Sequence, residues 1–192
     1  MTLKEAHWTA ADLVRFPDDD GKRYEIIGGE LYVAKQPHWH HQFASGQLVR
    51  FLEEWNEAGG GGIALAAPGV IFADDDDVAP DVVWYSAERL AMADVGDGHL
   101  HAAPELAIEI LSPGKRNEAR DREAKRDLFS RRGVQEYWIV DWRTEQVEVY
   151  RREQAVLRLT LTLYAADTLE SPLLPGFRCP VVRLLAFRRP AR

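Results

Sequence analysis

Two acidic residues stand where a carboxylate is out of place. Glu109 interrupts an otherwise apolar run, Leu106-Ala107-Ile108-Glu109-Ile110-Leu111, which reads as a strand covered on both faces. A carboxylate there must be paired, protonated or bound to a cation, because an isolated buried charge is too costly. Asp81 follows Pro80 and opens a second such strand, Val82-Val83-Trp84-Tyr85, near the sheet's edge. The third member is Lys125. In the charged stretch 117–132, positions 121, 124, 125, 128 and 129 share one face at helical spacing, so Lys125 lies over the sheet while Arg122, Arg126 and Arg131 have freer routes to solvent.

A strand aspartate, a strand glutamate and an inward lysine suit metal-assisted hydrolysis of a phosphodiester. The attacked phosphate is already anionic and the transition state gathers further charge on its oxygens, so a hard cation is needed. Carboxylate oxygens are natural ligands for magnesium or manganese. The ammonium of Lys125 would position or deprotonate the attacking water, or stabilise the phosphorane. The plain alternative is a buried ion pair between Lys125 and Glu109, of little net worth to stability. A second acid beside that pair is harder to explain without a cation.

Other constellations carry less. His99, His101 and Glu105 have a spacing reminiscent of metal ligands, but Pro104 and the glycines Gly96 and Gly98 make the segment a loop. His38, His40 and His41 read as the entry to a helix, with a substrate-facing role as the sharper alternative. Ser112-Pro113-Gly114-Lys115 matches the S-x-x-K of serine acylases, yet Pro113 and Gly114 oppose the helical geometry that motif needs. Asp74 to Asp77 lacks the alternating ligands and central glycine of a calcium loop and reads as a solvated hairpin tip.

The elements that must position the triad follow in order. Trp8 to Phe16 reads as a short helix capped by Thr9 and ended by Pro17. Tyr24–Ile27 and Glu30–Val33 flank Gly28-Gly29, the mark of a two-residue hairpin. A helix after Pro37 carries Phe43, Leu48, Phe51, Leu52 and Trp55 and closes at the glycines 59–62. Ile63 to Phe72 reads as one strand interrupted near Pro68, and Ser86 to Ala93 as a short helix. Beyond the basic helix, Gly133 suits a C-terminal cap. Glu136–Asp141, Gln146–Arg151 and Val156–Leu163 are strands, the first pair a hairpin or meander, after which Pro172, Pro175 and Pro180 make the chain irregular.

Composition bounds the rest. A chain of 192 residues, 46% hydrophobic and without a composition shift, predicts a single domain over residues 1–192. Its one cysteine, Cys179, excludes a disulfide framework and a cysteine-rich zinc site and fits a reducing interior. No run approaches the ~18 apolar residues of a bilayer span, and the start lacks a signal peptide's apolar segment, so a cytoplasmic protein without a membrane partner is expected. A net charge of −7 argues against indiscriminate polyanion binding, although eight basic against four acidic residues between Lys115 and Arg132 leave a local face for phosphate. Pairs such as Glu118 with Arg122 and Asp121 with Lys125 are the simpler use of that helix.

YEIIGGELYVAKQPHWHHQ, VAPDVVW, APELAIEILSP, DREAKRDLF and GVQEYWIVD, in that order, resemble the Uma-two family of restriction-endonuclease-like proteins, a branch of the PD-(D/E)XK nuclease superfamily. The resemblance covers Tyr24 to Tyr150 and several ordered motifs. It implies an α/β fold, a restriction-endonuclease-like mixed sheet flanked by helices, here with an additional antiparallel C-terminal hairpin. It further implies a magnesium- or manganese-dependent DNA endonuclease in which Asp81, Glu109 and the carbonyl of Ile110 hold the metal. Lys125 acts on water or phosphate, and Glu30, from the G-E-L-Y motif, completes the acidic pocket. The superfamily's lysine two residues after the glutamate is absent, since that position is Leu111; Lys125, on the next helix, is similar to branches in which it has migrated. The resemblance also implies a homodimer, because cutting two strands needs two sites, and leaves open a nuclease fold kept only for binding.

Overall fold

The computed structural model describes residues 7–17 and 20–186. Helix α1 (Ala10–Leu13) is closed by a capping box in which the Thr9 amide and hydroxyl both donate to the Asp12 carboxylate, at 3.0 and 2.9 Å. The hairpin of β1 (Arg23–Ile27) and β2 (Glu30–Ala34) turns through Gly28 and Gly29, whose φ values of 58° and 77° are the left-handed pair that a two-residue turn demands. Helix α2 (Trp39–Trp55) stops in the glycine run, and β3 (Gly62–Ala66), β4 (Val70–Ala73), β5 (Asp76–Val78) and β6 (Val82–Ser86) follow. After α3 (Ala87–Ala93) and β7 (Leu106–Ile110) comes one long helical stretch: α4 (Lys115–Ala119), a wide π-type turn over Arg120–Lys125, and α5 (Arg126–Arg132). The chain then forms β8 (Glu136–Asp141), β9 (Gln146–Glu153), β10 (Val156–Tyr164), β11 (Thr168–Ser171), β12 (Leu174–Pro180) and α6 (Val181–Leu185).

Six strands make the main sheet in the order β10-β9-β8-β7-β6-β3, mixed because β7 and β8 are parallel while their neighbours run antiparallel. Side-chain alternation splits it cleanly. Val82, Trp84, Ile108, Ile110, Trp138 and Val140 face one core, packed by Leu48 and Leu52 of α2, Phe177 of β12 and Leu184 of α6. Val83, Tyr85, Ala107, Leu111, Tyr137 and Ile139 face the other, filled by Leu128 and Phe129 of α5 and by Ile27, Val70 and Val78 from a small sheet ordered β2-β1-β5-β4. Asp81 and Glu109 fall on this second face by parity, under the helix that carries Lys125.

Several local expectations give way to tertiary packing. The first helix is four residues rather than the stretch Trp8 to Phe16. Ile63 to Phe72 is two strands in two sheets, split by a turn that puts Ala67 at φ 48°. The Asp74–Asp77 tip is not simply solvated. Asp76 is buried, accepts the Gly28 amide at 2.7 Å and pairs with Arg132 at 2.6 Å, which pins the small sheet to the end of α5. Glu118 meets Arg143 at 2.9 Å and Arg122 meets Glu148, so neither uses the helical partner that spacing suggested. The proline-rich end forms the β11–β12 hairpin and α6 rather than an irregular tail.

Candidate active site

The geometry at the acid face begins with β7. Glu109 is 1% exposed, and Lys125, itself wholly buried, sets its Nζ 2.7 Å from Glu109 Oε1. The same ammonium lies 2.8 Å from Oε1 of Glu25 on β1, so it bridges two acids from two sheets. Glu25 also accepts the Ala79 amide at 2.9 Å, tying the β1 strand to the segment that leads into Asp81. The wide turn at Arg120–Lys125 brings Arg120, Asp121 and Lys125 inward together, as the extra residue per turn of a π segment allows. Arg120 donates from Nε to Asp121 Oδ1 at 2.7 Å and approaches Glu25 Oε2 at 3.4 Å.

Asp81 is held from three sides. Its Oδ2 accepts the Ile110 amide and faces His41 Nε2, both at 2.9 Å, and its Oδ1 accepts Arg23 at 3.0 Å. Burial works against its charge, but the His41 contact, Lys125 and the Ile110 amide outweigh that and hold its carboxyl well below the usual range. Glu109 goes the other way. Burial, assisted by Asp81, Asp121 and Glu25, lifts its carboxyl well above the ordinary glutamate value despite Lys125. Asp121 is raised by burial, and Lys125 is kept charged because Glu109 and Glu25 overcome its desolvation.

A cleft of about 200 Å³ opens over Asp81, lined in part by Lys22, Arg23, Lys35, His41, Arg120 and Ser112. Glu109 and Lys125 lie behind this wall. Among the described residues no three Asp, Glu, His or Cys side chains are already grouped to hold an ion. The donor chemistry nonetheless fits a hard divalent cation. Four buried carboxylates (Asp81, Glu109, Glu25 and Asp121) face three permanent cations (Lys125, Arg120 and Arg23), and Asp121 Oδ2 is buried with no hydrogen-bond partner. Buried carboxyl oxygens, one of them without a hydrogen-bond partner, are the donors such an ion takes.

Of the residues singled out in the sequence, Asp81, Glu109, Lys125 and Ile110 are brought together. Glu30 is not. It opens β2 beside the glycine turn, its side chain 62% exposed and 3.9 Å from Arg116. The second buried acid is Glu25. The rule that picks out Glu109, a lone acid in an apolar strand, also picks out Glu25 in Tyr24-Glu25-Ile26-Ile27. His41 was read as helix entry, and its contact with Asp81, 40 positions away, leaves no local trace. Glu105 belongs to another set, accepting the Ser86 hydroxyl at 2.6 Å, and His101 pairs with Asp97 at the surface. Lys115 is exposed, so the S-x-x-K match does not form a buried pair.

A mixed sheet that presents a strand aspartate, a strand glutamate and a helix lysine beneath a basic cleft defines a restriction-endonuclease-like protein. The family model "Uma2: Putative restriction endonuclease" matches residues 10–182, and the chain belongs to that family. Its fold is also similar to a crystal structure from Anabaena variabilis described as "a putative nuclease belonging to DUF820". That likeness has a TM-score of 0.71 and 18% sequence identity, over 92% of this chain and 97% of the other. A comparison with curated proteins gave no match. No helix among the described residues is long and apolar enough to cross a membrane.

Proposed function

We propose that the protein is a magnesium- or manganese-dependent DNA endonuclease that hydrolyses phosphodiester bonds. The observation that carries this reading is the fully buried Lys125, held between Glu109 and Glu25 behind the cleft that Asp81 lines. Asp81 and Glu109 would hold the cation with the carbonyl of Ile110. A strand residue's amide and carbonyl face the same neighbour, and the Ile110 amide already meets Asp81. The bound cation would supply Lewis-acid stabilisation of the charge that gathers on phosphate.

The chain's own groups supply the rest. Arg23, Lys22 and Lys35 line the cleft wall and attract the phosphate. Lys125, kept as an ammonium, offers positive charge and a donor to the attacking water or the phosphoryl oxygens; in this state it does not take a proton. Arg120 and Lys125 keep Glu25 ionised, and Glu25 fixes the lysine from behind. Glu30 has no part in this arrangement. A homodimer would bring a second site to the second strand.

The test is divalent-dependent nicking of plasmid DNA by the wild type, Asp81→Ala and Glu109→Gln. Cutting by the wild type alone supports the reading, and equal cutting by all three is contamination. One observation favours a second reading, a nuclease fold retained for binding: both Asp81 oxygens are already engaged by His41, Arg23 and the Ile110 amide. That reading predicts DNA binding with no cleavage of any substrate under any divalent ion.

A further inference from the structure

Four rings gather next to segments that line the cleft. Helix α2 starts His38-Trp39-His40 directly after Pro37, which lines the cleft, and Trp142 arrives from the turn after β8. The His38 ring stacks on Trp142 with centroids 4.9 Å apart and planes 12° from parallel, and His40 lies 4.8 Å from the same indole. Trp39 sits against His40 at 3.6 Å and remains 53% exposed. The indole of Trp142 is anchored, its Nε1 donating to the Leu111 carbonyl at 3.2 Å, one residue before Ser112 of the cleft lining. The cluster therefore adjoins, through Pro37 and Ser112, two segments that line the cleft over Asp81.

The nuclease reading of the acids does not use these rings; Trp142 also packs against the main core, while Trp39 keeps more than half its surface exposed. Large aromatic faces beside a cleft lined by Lys22, Arg23 and Lys35 form the combination that single-stranded nucleic acid takes: cations follow the backbone and rings accept bases. Duplex bases are already stacked on one another and hide their faces, whereas an unpaired base offers both.

We infer that the His38-Trp39-His40-Trp142 cluster is a stacking platform for unpaired nucleobases, so that the preferred substrate of the proposed site is single-stranded or locally unpaired DNA. The inference rests on the nuclease reading for the identity of the ligand, but not on turnover. Wild-type protein in EDTA is titrated against a labelled oligodeoxynucleotide of about 15 nucleotides as single strand, as duplex, and as the same strand with abasic positions. Fluorescence anisotropy is expected to give about tenfold tighter binding to the base-bearing single strand than to either other form. Trp39→Ala should lose about the same factor on the single strand alone, and Trp39→Phe should keep most of it.

Equal affinity for abasic and base-bearing strands, or for duplex and single strand, overturns the inference, and neither measurement depends on a variant folding. An unchanged single-strand affinity in folded Trp39→Ala overturns it too. Asp81-dependent nicking without preference for unpaired DNA would refute the platform and leave the nuclease reading standing. Ring-dependent binding by a chain that cuts nothing would uphold the platform and refute the nuclease.

Discussion

Replacing Lys125 by methionine removes the ammonium between Glu109 and Glu25 and leaves two buried carboxyl groups without their shared partner. In the wild type the ammonium touches them at 2.7 and 2.8 Å with no exposed surface. Breaking such a buried pair from one side costs about 3–5 kcal/mol, because the partners stay desolvated and uncompensated. For a chain of this size each kcal/mol lowers Tm by about 2–4 °C, so a fall of about 6–20 °C is expected. Urea denaturation followed by circular dichroism at neutral pH gives the free energy directly. The double variant with Glu109→Gln should recover much of the loss, since an amide there needs no cation and Glu25 retains Arg120 at 3.4 Å. A cost below about 1 kcal/mol, the scale of an exposed pair, would refute the buried bridge. Simple additivity of the two substitutions would do the same.

Three further outcomes follow from the same geometry. Glu109 holds its proton more tightly in the folded chain than at its ordinary value of 4.5. Its contribution to stability without metal is therefore full below about 4.5 and is lost as pH rises through its higher folded value; denaturation across pH should show that fall, and Glu109→Gln should flatten it. Manganese binding should displace that proton, so affinity should rise with pH, and calorimetry in buffers of differing ionisation enthalpy should register proton release; pH-independent affinity would count against Glu109 as a ligand. Glu25→Gln should cut nicking activity by about a hundredfold through a displaced Lys125, whereas Glu30→Gln, at the exposed hairpin turn, should leave it within about twofold.

Much of the scaffold was readable because its signals are local. The glycine pair announced the β1–β2 hairpin, the run EYWIVD gave β8 to the residue, and Gly133 ends α5 in the left-handed conformation with φ 93°. The helix face was legible only in part. Lys125, Leu128 and Phe129 are buried as the 3.6-residue period predicts, but the wide turn before them also draws in Arg120, which a regular helix would not place on that stripe. In residues 63–72 Pro68 and Gly69 signalled the break, but nothing local showed that the two halves find their hydrogen-bond partners in different sheets.

The sequence alone marked Asp81 and Glu109 as acids in two buried strands and turned Lys125 toward the sheet, since burial pattern and helix period are properties of neighbouring residues; that the two acids share a face follows from the pairing of β6 with β7. Which groups those three meet was decided by tertiary structure. Pairing of β1 with β5 carries Glu25 under Lys125 while leaving Glu30 at the turn, and docking of α2 brings His41 onto Asp81. Periodicity assigns a direction to a side chain; the distance to its partner depends on how separate elements pack, and at this site it is those distances that set the charge on each acid.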